Sequence, residues 1–110
     1  MLRRERDYIL RQINQASIAL ARLRERLVGG AQPDEIVQAA RAAQGELLGN
    51  DAPMLRALDP SSAAHVLGDK QVVAMWADLL RIEADAHRTA GRIDEADAID
   101  RRADALARNN

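Results

Sequence analysis

Apolar residues at Ile9, Ile13, Ala16, Leu20, Leu23 and Leu27 are separated by four, three, four, three and four positions. That spacing keeps one stripe on an α-helix and matches the seam of a coiled coil. Leu2 extends the register backwards, with Arg6 as its one charged occupant, so a single helix is predicted from Leu2 to Val28. Such a helix is about 40 Å long at 1.5 Å per residue, whereas a compact chain of this size has a radius of gyration of about 13 Å. Its stripe therefore either overhangs into solvent or packs against a second copy. Leaving several of these side chains wet forfeits roughly 1.5–3 kcal/mol each, and a C₂ pair removes that loss. A homodimer joined through Ile9, Ile13, Ala16, Leu20, Leu23 and Leu27 is the expectation, with Arg6 near the end able to reach solvent or a partner acid while its stem stays packed.

Gly29 and Gly30 stop the first helix. Gln32-Pro33-Asp34-Glu35 opens the next, because proline suits a first helical turn and the two acids complement the positive end of the helix dipole. Ile36, Ala40, Ala43 and Leu47 form its apolar face, and Gly49-Asn50 closes it. From Asp51 to Gly68 the pattern shortens into two brief segments, one behind Ala52-Pro53 and one behind Asp59-Pro60, with Asp59 a natural N-cap. Asp69 is the next cap. Val72, Val73, Trp76, Leu79, Leu80, Ala84 and His87 then share one broad face of a helix running from Lys70 to Ala90. Gly91 turns the chain, and Ile93, Ala96, Ile99, Ala103 and Leu106 mark a last helix to about Arg108, with fraying at Asn109-Asn110. No segment alternates with a period of two. The prediction is one all-α domain over 1–110: a long helix over 1–28, short helices over 33–68 and an antiparallel hairpin over 69–108.

Composition makes the core of this domain thin. Among 110 residues there is no Phe, and the aromatics are Tyr8 and Trp76 alone. Alanine favours helix and close helix approach but buries little area. The absence of cysteine removes disulfides and thiolate chemistry. No stretch reads as a secretory signal or a membrane span, so the expected location is the cytoplasm. Net charge is −1, yet residues 1–28 hold seven Arg against three acids. Acids interleave with those arginines, which reads as a solvated helix face rather than a nucleic-acid surface. Nucleic acid and membrane are not expected partners.

Two resemblances follow from particular residues. Ala84, His87, Gly91, Ala96 and Ala103 stand where a tetratricopeptide repeat has small, aromatic, Gly, Ala and Ala positions, so residues 84–103 resemble part of that repeat. Asp100 occupies the family's late aromatic position, Leu80 its early Trp position, and its closing Pro is missing. The opening Glu5-Arg6-Asp7-Tyr8-Ile9-Leu10-Arg11-Gln12-Ile13 is similar to a family of small bacterial proteins classed as a domain of unknown function. That resemblance implies an all-helical fold and carries no activity or catalytic residue.

Candidate chemistry is sparse. His65 and His87 are the two histidines. His87 follows Glu83 by one helical turn, but a metal needs three or four ligands and neither a zincin nor a Glu-x-x-His spacing is present. No metal or cofactor is expected. Asp94, Asp97 and Asp100 read as a solvated face, with Asp97 placed to pair with Arg101. Ser61-Ser62 suits capping better than nucleophilic catalysis. Trp76 can be placed two ways: as the largest core side chain, or, with Leu80 and His87 on successive turns, as part of a groove partly open to solvent for a peptide or helix. These patterns point to a non-enzymatic, self-associating interaction or scaffold protein, with a tetratricopeptide-like peptide-binding adaptor as the alternative and a small enzyme or nucleic-acid binder behind it.

Overall fold

The computed structural model describes residues 2–109, with side chains from Arg6 to Asn109. Leu2 as a seam side chain and fraying at Asn110 lie outside the described residues. Among the described residues six α-helices follow one another: α1 Leu2–Val28, α2 Pro33–Leu48, α3 Ala52–Ala57, α4 Pro60–Leu67, α5 Lys70–Thr89 and α6 Ile93–Arg108, with one 3₁₀ turn over Gly49–Asp51. The all-α prediction and its element order are observed.

Local chemistry explains the boundaries. Asp59 accepts from the Ser62 amide at 3.1 Å and from the Ser62 hydroxyl at 2.6 Å, capping α4. Asp69 accepts from the amides of Gln71 and Val72 at 2.9 and 3.1 Å, capping α5. Beyond α5, Gly91 adopts φ +85°. The Gly91 amide donates to the Arg88 carbonyl and the Arg92 amide to the His87 carbonyl, so the helix closes in a Schellman motif that only glycine enters without strain.

Cross-helix pairs give the topology. Arg26 meets Glu35 across the α1–α2 turn at 3.1 Å. Along the hairpin, Arg88 near the end of α5 meets Asp97 near the start of α6, while Arg81 further back meets Asp104 further on, so these helices run antiparallel. Asp34 lies beside Arg92 while Gln44 reaches Trp76, which makes α2 antiparallel to α5. Arg6 pairs with Asp69, so α1 and α5 start at the same end. Helix α5 is central: α1, α2, α4 and α6 all pack on it. The backbones of α2 and α6 do not approach one another, and a channel over α5 separates them.

The middle of the expected dimer seam is covered within the chain. Ala16, Leu20 and Leu23 are 4, 5 and 3% exposed, and Ile9, Ile13 and Leu27 are half-buried against the same core. The cause is the pairing of directions. Helix α5 starts beside Arg6, α2 starts beside Arg26, and the two together lie along α1 from Ile9 to Leu27. Two helices side by side cover a stripe that neither covers alone. Alanines at 40, 63, 84, 86, 96 and 103 are fully buried and let the remaining helices close around Trp76. Among the described residues no helix is long and apolar enough to cross a membrane.

Candidate functional site

Along α5, Trp76, Leu80, Glu83 and His87 are spaced by four, three and four, which aligns them on one face. Val37, Arg41 and Gln44 of α2 form one wall, Glu95, Ala98, Ile99 and Arg102 of α6 the other, and Arg56 of α3 closes one end. The cleft so formed has a volume of about 480 Å³, within the range of about 300–1,000 Å³ for small-ligand sites.

A polar relay crosses its floor. The Trp76 indole N–H donates to Gln44 Oε1 at 3.3 Å, and Gln44 Nε2 donates to Glu83 Oε1 at 2.7 Å. A flipped Gln44 amide would set donor against donor at the indole and acceptor against acceptor at the carboxylate, so its orientation follows from its neighbours. Gln44 and Glu83 are buried. Burying a carboxylate is costly unless it is hydrogen-bonded and paired, and Arg41 Nη1, 3.6 Å from Glu83 Oε2, provides the countercharge.

Two guanidinium groups, those of Arg102 and Arg56, lie at the α3 end of the cleft. Arg102 donates to the Leu55 and Leu58 carbonyls, both at 3.0 Å, and its guanidinium carbon lies 5.2 Å from the Trp76 ring centre, within cation–π range. Burial pushes the Arg102 pKa below its ordinary value, opposed by the Asp59 carboxylate. Arg56 donates to the Arg41 carbonyl at 3.0 Å.

The opposite end is organised by Arg92. Its Nε donates to His87 Nδ1 at 2.8 Å, and its Nη2 meets Asp34 Oδ1 at 2.6 Å. Glu95 Oε2 also lies 3.5 Å from His87 Nδ1. One ring nitrogen cannot accept from a guanidinium and donate to a carboxylate together. The shorter Arg92 contact makes Nδ1 the acceptor, which puts the ring proton on Nε2.

Trp76, Leu80 and His87, singled out as a groove, do line one cleft. Trp76 is 0% exposed, however, and is shielded by Arg102 rather than open to solvent. Ile9, Ile13, Ala16, Leu20, Leu23 and Leu27 do not line the cleft. His65 is exposed on α4. The expected Asp97–Arg101 pair is replaced by a reach across the hairpin: Arg88 holds Asp97 and Asp100 at 3.2 and 2.8 Å, and both carboxylates raise its pKa. Among the described residues no cluster of His, Asp or Glu is arranged to hold a metal. The walls of the site were missed in the sequence, among them Val37, Arg41, Arg56, Ile99 and Arg102, and so were Gln44 and Glu83, although each of these two is a polar residue standing in an otherwise apolar helical stripe. No family model matches the chain, and no curated protein or solved structure is significantly similar to it.

Proposed function

We propose that this chain is a non-enzymatic binding module of the cytoplasm that takes a short peptide in the cleft between α2, α5 and α6. The observation that carries this reading is the cleft's make-up: apolar Val37, Leu80 and Ile99 around a few convergent polar groups, over a floor locked by the Trp76–Gln44–Glu83 relay. Preformed sites of this composition suit binding. The tetratricopeptide-like small residues at Ala84, Gly91, Ala96 and Ala103 agree with it. The test is selection of displayed random peptides on the wild-type chain, followed by affinity measurement on Ile99→Arg, which plugs the cleft from a half-buried position. Selected peptides should lose most of their affinity for a variant whose circular dichroism is unchanged. Equal binding to both proteins, or no enrichment, would overturn the proposal.

Self-association is a second reading, favoured by apolar surface at the start of α1. Tyr8 and Leu10 are 53 and 43% exposed, beside the half-buried Ile9 and Ile13. A homodimer would then use the outer face of this end of α1 instead of the covered seam. Sedimentation equilibrium tests it: a mass near twice 12.1 kDa that falls in Leu10→Asp supports it, and a monomer at all concentrations rejects it.

A further inference from the structure

Resting on the peptide reading, we propose that the cleft selects an extended, acidic segment. Glu83 and His87 pair with its backbone, and the guanidinium groups near α3 hold a carboxylate side chain.

Two open valences face the cleft. With Nδ1 occupied by Arg92, His87 presents Nε2–H, which makes no hydrogen bond among the described residues. Glu83 Oε1 is taken by Gln44, while Oε2 has only the longer contact to Arg41. Among the described residues no fully buried polar side-chain atom lacks a partner, so both atoms keep access to solvent, and both residues line the cleft. They sit one turn apart on α5, with Cβ atoms about 5–6 Å from each other. The pair offers one donor and one acceptor side by side. A peptide backbone in extended form supplies the complement, a C=O for His87 and an N–H for Glu83. A helical segment has already spent those groups on its own hydrogen bonds.

An extended chain sends alternate side chains to opposite sides. One set would meet Val37, Leu80 and Ile99.

Charge sets the preference. Arg41, Arg56 and Arg102 line the cleft together with Glu83 and Glu95. Glu83 already faces Arg41, and Glu95 lies at the far end near Arg92, at 3.9 Å. Each guanidinium has five N–H donors. Arg56 uses one on the Arg41 carbonyl and Arg102 two on the Leu55 and Leu58 carbonyls. Both keep donors to spare, and a planar guanidinium fork suits a carboxylate.

The test is an NMR titration of the full chain with two defined probes, acetyl-Glu-Leu-Glu-Leu-Glu amide and acetyl-Lys-Leu-Lys-Leu-Lys amide, read at the methyl groups of Val37, Leu80 and Ile99 and at the His87 ring nitrogens. The acidic probe should saturate these shifts with a Kd at least about tenfold below that of the basic probe, the worth of one charge-assisted hydrogen bond. Its affinity should fall by a similar factor in Arg41→Gln/Arg56→Gln, whose changes lie at the cleft mouth. Methylating the amide of the acidic probe's first leucine in one version, and of its second in another, should weaken one version comparably. Equal binding of both probes, or preference for the basic one, overturns the acidic assignment and leaves the peptide cleft intact. Acidic preference untouched by methylation at either amide overturns the backbone pairing. No shift with either probe overturns this inference and the peptide reading together.

Discussion

Gln44 and Glu83 join α2 to α5 through a 2.7 Å hydrogen bond between an amide and a carboxylate, both buried and both tied onward, one to Trp76 and the other to Arg41. The bond fixes which faces of two helices meet. It also holds the floor of the cleft.

Gln44→Ala should therefore cost about 2–4 kcal/mol, because it strands the Trp76 N–H and removes a hydrogen bond from a buried carboxylate. Arg41→Ala should cost about 1–3 kcal/mol, since it removes the countercharge of a buried carboxylate although the guanidinium itself is 57% exposed. Urea denaturation checks both variants; losses under about 0.5 kcal/mol would mean the relay contributes no more than a surface pair.

Gly45 lies inside α2, and a methyl group added there meets nothing within 4 Å. Gly45→Ala should stabilise the fold by about 0.5–1 kcal/mol through reduced unfolded-state entropy and better helix propensity. A rise of the urea midpoint with an unchanged slope is the expected result.

Ser62 holds the Asp59 carboxyl below its ordinary pKa of 3.8 by side-chain and backbone hydrogen bonds. A depressed folded-state pKa means the cap's contribution is fully present above the ordinary value and is lost as pH falls through the lower folded value. Asp59→Ala should accordingly melt below wild type at neutral pH. The gap should narrow in acid below about pH 4, as followed by circular dichroism.

Leu20 is 5% exposed, within the core formed by α1, α2 and α5. Leu20→Asp places an unpaired charge there and should cost about 4 kcal/mol or more. Because the seam is covered in cis, this loss should not depend on protein concentration. Thermal melts at two concentrations check it; recovery at the higher one would show that the seam is shared between copies.

Helix boundaries were readable in the sequence because glycine, proline and aspartate act locally. Gly91 ends α5 and Asp69 starts it through bonds to residues within five positions. The fate of the α1 stripe was not readable, since it depends on two helices lying side by side at a distance in sequence. Length alone argued for a partner, whereas α2 and α5 bury Ala16, Leu20 and Leu23 and leave Ile9, Ile13 and Leu27 half-buried. The cleft was half visible: Trp76, Leu80 and His87 share a face by spacing, but its polar floor needs α2 in register with α5. Gln44 at an apolar position of α2 and Glu83 at one of α5 were the available signal. Two polar residues in core stripes of different helices are expected to find each other.

Whether the cleft is the binding surface is settled most directly by intermolecular NOEs between the bound acidic probe and the protein's methyl groups. Binding in the cleft predicts NOEs from the probe's leucines to Val37, Leu80 and Ile99, and none to Leu10 or Ile18 on the outer face of α1. NOEs confined to Leu10 and Ile18, or a bound probe with no contact to Val37, Leu80 and Ile99, would contradict it.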